Sequence, residues 1–181
     1  MRVITGTAGG RRLKTPENYD IRPTTDKVKE SVFNIIQFDI EGRRVLDLFA
    51  GTGQMGIECL SRGAASCVFV DKDREAVRIV KDNLKTCGFR ATVVQEDAIA
   101  FLKSCGKFDI IFIDPPYDAK LYEPALKIIN LVDILSESGI IVCEARREEP
   151  LPAMTPPYYL RREYDYGRIK ICVYSKESAE L

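Results

Sequence analysis

Asp114-Pro115-Pro116-Tyr117 brings a carboxylate, two rigid rings and an aromatic face together directly after the apolar run Phe108–Ile113. That combination suits the activation of an exocyclic amine on a nucleobase. Such an amine is a poor nucleophile, because its lone pair is delocalised into the ring. The Asp114 carboxylate can accept one amine hydrogen and the Pro115 carbonyl the other. Two acceptors fixed by prolines pull the nitrogen toward tetrahedral geometry and aim its lone pair at an electrophile. Tyr117 offers a ring on which the target base can stack, a contact worth roughly 1–3 kcal/mol. Two prolines also end a strand and an aspartate also caps a turn, so the motif needs its context.

Sixty residues upstream the context is a glycine loop, Gly51-Thr52-Gly53-Gln54-Met55-Gly56, between a β-rich run and a helical one. By itself this G-x-G-x-x-G spacing fits a dinucleotide as well as S-adenosylmethionine. Asp47 separates them. It stands four residues before Gly51, at the end of the first strand, and an anion there would repel a pyrophosphate. S-adenosylmethionine has an ammonium, a sulfonium and no phosphate, so an acid is favourable. Asp71, twenty residues after Gly51, ends the next strand and is expected to take the ribose diol. Asp97 ends the third strand. It is expected to accept from the adenine amine, to cap the helix that starts at Ala98, or to do both. Phe49, Lys72 and Ala98 flank these acids and complete the expected cofactor set, with Asp114 facing the methyl.

The 181 residues contain no histidine, which excludes a histidine general base, a Ser-His-Asp triad and any histidine-containing metal site. An amine activated only by hydrogen-bond acceptors needs none. The six cysteines form no Cys-x-x-Cys pair and sit among apolar neighbours, as buried thiols of a reducing cytosol do, and no metal is expected. The longest apolar runs, 110–113 and 140–143, are far short of a membrane span, and no leader is expected at the N-terminus. Acids and bases balance at 27 each. The bases are unevenly placed, however, with Arg2, Arg11, Arg12 and Lys14 near one end and Arg161, Arg162, Arg168 and Lys170 near the other. These two groups form a candidate surface for phosphates.

The elements that must position these groups follow from periodicity. Two short strand-like pieces, 2–5 and 11–14, read as a hairpin around Thr7-Ala8-Gly9-Gly10. Val28, Val32, Ile35 and Ile36 predict an amphipathic helix after Pro23, running to about Phe38. Strands at 44–49, 67–70, 91–94, 108–113 and 139–143 then alternate with helices at about 54–62, 73–87, 98–103 and 121–131. Two last strand-like runs, 158–164 and 168–174, suit an antiparallel pair. The pattern predicts one domain: a doubly wound, mostly parallel seven-stranded α/β sheet with an N-terminal hairpin (1–16), a helical segment (22–39) and a sheet core (44–176). A ligand is expected beyond the carboxyl ends of the first strands.

Taken together, the chain resembles the RsmD-type ribosomal RNA methyltransferases over about residues 2–175. The matching stretches are Ile4-Thr5-Gly6 with Gly10-Arg11-Arg12-Leu13, the run from Arg22-Pro23-Thr24 to Asn34, Val45 to Gly53, Asp114 to Tyr117, and Tyr166-Gly167. The resemblance implies methylation of the N2 amine of one guanine in 16S rRNA. It also implies that Arg22, Pro23 and Thr24 sit over the methionine end of S-adenosylmethionine, with the helix of 22–39 closing the pocket, and that the hairpin and the segment around Arg168 flank the cleft and touch RNA through Arg11, Arg12, Lys14 and Arg168. It points to a cytoplasmic monomer acting on a partly assembled small subunit. The competing expectations are a DNA adenine-N6 methyltransferase, which the same tetrapeptide would serve, an NAD-binding oxidoreductase, and an RNA-binding module without catalysis.

Overall fold

The computed structural model describes residues 1–16, 24–116 and 119–176. Among them the chain opens with a turn-rich segment and α1 (Thr24–Ile35), then alternates β1 (Arg44–Leu48), α2 (Gln54–Ser61), β2 (Ser66–Asp71), α3 (Arg74–Cys87), β3 (Thr92–Gln95), α4 (Ala98–Leu102), β4 (Phe108–Ile113), α5 (Tyr122–Val132) and β5 (Leu135–Arg146). It closes with β6 (Tyr159–Tyr166) and β7 (Ile169–Ser175). The seven strands lie in the order β3-β2-β1-β4-β5-β7-β6. β1 to β5 are parallel, while β7 runs antiparallel to both β5 and β6. The chain moves outward from β1 through β2 to β3, then crosses back to β4. The switch point therefore lies between β1 and β4, where a ligand crevice opens in doubly wound sheets.

Both faces of the sheet are covered, which explains the unbroken apolar run of β4. One layer packs α1, α2, α3 and the N-terminal segment against Val45, Phe69, Phe112 and Val142. The other packs α4 and α5 against Leu46, Val70, Ile111, Ile113 and Cys143.

Three elements differ from the sequence pattern. The expected hairpin reduces to one antiparallel bridge, Arg2 to Arg12, supported by bonds such as Val3 N–H to the Arg11 carbonyl at 2.9 Å. The reason is competition: the Ile4 and Thr5 N–H groups donate to the Glu58 carboxylate of α2, at 2.7 and 3.0 Å, rather than to the facing strand. The regular part of α1 ends at Ile35, and a turn leaves Phe38 exposed. β5 starts four residues earlier than its apolar core. A register break after Phe108 pairs Leu135 with β4 and admits the polar stretch Ser136-Glu137-Ser138.

Candidate active site

A cleft of about 660 Å³ opens at the carboxyl ends of the parallel strands. β1 gives it Asp47 and the loop beyond, β2 gives Asp71 and Lys72, β3 gives Asp97 and Ala98, and β4 gives Asp114, Pro115 and Pro116. Lys29 and Val32 of α1 line another wall, and Val142 and Glu144 of β5 line a further one.

The glycine loop explains the shape of the floor. Phe49 and Gly51 have φ of 65° and 54°, and Gly53 caps α2 from the left-handed region at 75°. A left-handed phenylalanine is uncommon and stores local strain beside the cleft. Gly56 serves close packing instead: a Cβ there would stand 2.4 Å from the Phe69 ring and 2.5 Å from the Cys67 sulfur. With no side chain at 56, α2 lies directly on β2.

Asp47 is buried, and its Oδ2 accepts the Gly56 N–H at 2.9 Å. It therefore anchors the start of α2 as well as lining the cleft. Burial pushes its pKa up to about 7; the Asp71 charge adds to the rise, while the Gly56 N–H and Lys29 oppose it. Asp71 accepts from the Gly51 N–H at 2.8 Å and the Asp73 N–H at 2.9 Å, which fixes its rotamer at the cleft edge. Each carboxylate oxygen can take a second donor, so contacts with hydroxyls remain open. Asp97 caps α4 through the Ile99 and Ala100 N–H groups, both at 3.0 Å. The capping role expected of it is present, and the residue lines the cleft too.

These residues suit S-adenosylmethionine. A buried carboxylate that is only half ionised near neutrality is completed by a cation, and the floor of the cleft carries acids where a pyrophosphate would need donors. In addition, among the described residues Gln54 Oε1 is a buried side-chain oxygen with no hydrogen-bond donor, inside the same cleft. An ammonium would supply one. No cluster of three or more acids or cysteines able to hold a metal occurs among the described residues.

Other expected positions fall outside the cleft or outside the described residues. Arg22, Pro23 and Tyr117 belong to the second group, as does the side chain of Thr24, whose backbone opens α1. Of the expected RNA contacts, Arg12 and Arg168 are exposed. The Arg11 guanidinium donates to the Thr86 carbonyl at 3.0 Å and the Lys14 ammonium pairs with Asp82 at 2.8 Å, so both are tied to α3. Sequence reasoning missed Lys29, Gln54 and Glu144. Lys29 is 1% exposed at its side chain, donates to the Arg2 carbonyl at 2.9 Å and pairs with Glu58 at 3.0 Å. A lysine four residues before Phe33, on the apolar face of α1, was the available signal.

A family described as Conserved hypothetical protein 95 has a model that matches residues 1–175. The Escherichia coli (strain K12) protein named ribosomal RNA small subunit methyltransferase D is 34% identical over 180 residues, covering 98% of this chain and 91% of that one. The chain belongs to this family. The Bacillus subtilis (strain 168) relative YlbH is 44% identical over 182 residues, with 97% and 99% of the two chains covered. Among solved structures, the Escherichia coli protein yhhF superposes with a TM-score of 0.84 at 32% identity over 96% of each chain. A Thermus thermophilus 16S rRNA N2 methyltransferase, solved with S-adenosylmethionine and guanosine, shares the fold at a TM-score of 0.68 and 19% identity, covering 89% of this chain and 45% of that one.

Proposed function

We propose that the protein transfers a methyl group from S-adenosylmethionine to the exocyclic N2 amine of a guanine in small-subunit (16S) ribosomal RNA. The observation that carries this is the placement of Asp114 and Pro115 in one cleft with Asp47, Asp71 and Asp97, across the β1/β4 switch point. Membership of the methyltransferase D family supplies the class of substrate. S-adenosylmethionine, when bound, supplies a methyl on a sulfonium that departs as a neutral thioether as the carbon–sulfur bond breaks.

The chain's own groups do the rest. Asp47, Asp71 and Asp97 take the cationic and hydroxylated parts of the cofactor and fix its depth. Asp114 and the Pro115 carbonyl each accept one hydrogen of the amine. As the new N–C bond forms, the nitrogen becomes positive, and its surplus proton passes to Asp114 or to water. Pro115 is buried and Pro116 comes directly after it, so the Pro115 carbonyl is set before the base arrives. Positioning of this kind can supply about 7–11 kcal/mol of barrier reduction, enough to be the main contribution. A paired guanine must first leave its stack at a cost of a few kcal/mol. Tyr117, next in sequence, is the group that would receive it.

In this reading the protein acts as a cytoplasmic monomer, without a metal, on a partly assembled subunit. Labelled S-adenosylmethionine is offered to small subunits from cells lacking the protein and, separately, to duplex DNA. Label is expected at N2 of one guanine of 16S rRNA and none in DNA; label on adenine of the duplex would overturn the reading. Asp114→Ala should lower turnover roughly 100- to 10,000-fold while leaving cofactor affinity within about twofold.

A further inference from the structure

Glu144 lies at the carboxyl end of β5, on the wall of the cleft that adjoins Asp114. We propose that Glu144 accepts the ring N1–H of the target guanine, beside the amine held by Asp114, and so selects guanine over bases with a ring acceptor at that place. This rests on the function proposed above and specifies how the same site chooses its base.

Three observations place the carboxylate. The last paired rows of β4 and β5 are Phe112 with Val142 and Ile113 with Cys143, so the next step along the two chains is Asp114 and Glu144. Neighbouring strands stand roughly 4.8 Å apart, near enough for side chains at these two positions to converge on one base edge. Phe112 and Val142 belong to the core layer beneath α1, and Ile113 and Cys143 to the opposite layer. Side chains alternate along a strand, so Glu144 faces the layer of Val142 and opens into the cleft. Its backbone is also held: the hydroxyl of Tyr122, a residue buried at the start of α5, donates to the Glu144 carbonyl.

The chemistry then decides among bases. Guanine presents N1–H and the N2 amine as adjacent donors. Adenine and cytosine present an amine beside a ring nitrogen lone pair. Two carboxylates facing one cleft repel each other, and a neighbouring pair of N–H donors relieves that repulsion. A ring lone pair at the same place brings no hydrogen to the Glu144 carboxylate, so that hydrogen bond goes unmade and two electron-rich groups face each other.

The test uses small subunits reconstituted with 16S rRNA that carries either guanine or 2-aminopurine at the methylated position. 2-Aminopurine keeps the N2 amine but has an acceptor at N1. Methyl transfer from labelled S-adenosylmethionine is measured, along with particle binding in the presence of S-adenosylhomocysteine. The wild-type protein is expected to prefer guanine roughly tenfold to a hundredfold in both readouts. Glu144→Gln has nearly the same volume and can donate to N1, so it should narrow the preference to within about threefold while cofactor affinity is unchanged. Glu144→Asp keeps the charge and should retain a preference for guanine. If Glu144→Gln keeps the wild-type ratio in rate and binding, Glu144 does not read N1, while the methyltransferase function stands. If the wild-type protein methylates neither particle, the proposed function itself fails, and this inference with it.

Discussion

At the scale of single residues, Asp47 carries the most consequential charge in the molecule. Its pKa of about 7 reflects burial first, with the Gly56 N–H opposing the rise and the Asp71 charge adding to it. A cationic ligand favours the ionised form, so its binding below that pH must first drive off a proton. Affinity for S-adenosylhomocysteine, which keeps the ammonium, is expected to be flat above about pH 7 and to weaken by up to about tenfold per pH unit below it. Calorimetry across that range checks the slope, and Asp47→Asn should bind more weakly at pH 8 with the slope gone. The sign for folding is opposite. A carboxyl whose pKa rises from 3.8 to about 7 loses stability for the fold as the pH climbs between those values, so the asparagine variant should not unfold more easily at neutral pH. The sequence made this acid visible because its spacing from Gly51 separates two classes of ligand. It concealed that one carboxylate oxygen is spent on the Gly56 N–H, a contact that depends on how tightly α2 is laid on β2. Glu144 was hidden for a related reason: its run reads as the end of an apolar strand, and only the neighbouring position of β4 makes its carboxylate informative.

Elements, rather than residues, hold the N-terminal segment to the cleft, and Glu58 is the joint. Its buried carboxylate accepts from the Ile4 and Thr5 N–H groups, from Lys29 of α1 and from Arg62 one turn further along, at 2.7 to 3.0 Å. Burial alone would raise its pKa, but Lys29 and the two backbone donors more than reverse this and hold it below 4.5. A lowered carboxyl pKa stabilises the fold above the unfolded value, and that contribution fades as the pH falls through the folded one. Glu58→Ala removes the buried carboxylate shared by Lys29, Arg62 and two backbone N–H groups and should cost about 3–5 kcal/mol, seen as a lower denaturation midpoint. Hydrogen exchange should rise first in residues 3–11, because their anchor is gone. The same joint marks the limit of sequence reading at this scale. Periodicity located every helix and strand from Arg44 onward to within a few residues, since most of them have their own apolar face and β6 is marked by its spacing from β7. The first fourteen residues were read as a hairpin because local pattern cannot show an acid 54 positions away competing for their N–H groups.

The whole molecule is electrically neutral, with 27 acids and 27 bases, which is unusual for a protein proposed to hold RNA. Its exposed cations must therefore act through placement. Arg168 lies in the β6–β7 turn, where the Arg147 N–H bonds its carbonyl at 2.9 Å, at the end of β5 where the cleft opens. Arg12 lies on the N-terminal segment, which reaches the other side of the same rim: Asn83 ties the Lys14 carbonyl to the Thr52 carbonyl of the glycine loop, at 3.1 and 2.9 Å. Lys14 is already paired with Asp82, so it has less charge to offer a phosphate. Each phosphate contact lowers the slope of log affinity against log salt by about 0.7 to 0.9. Binding to 16S rRNA, measured by filter retention between about 50 and 200 mM salt, should therefore weaken with salt. Arg12→Ala and Arg168→Ala should each flatten that slope by about one, and Lys14→Ala by clearly less. An equal effect of all three would mean that the ion pair with Asp82 opens on binding and that the rim is wider than the structure indicates. Free RNA must order its phosphates to meet this surface, at a cost in affinity. A folded subunit that presents its phosphates already in register avoids the ordering cost, so affinity should be higher for the particle than for naked rRNA, and the salt slopes of the two should match.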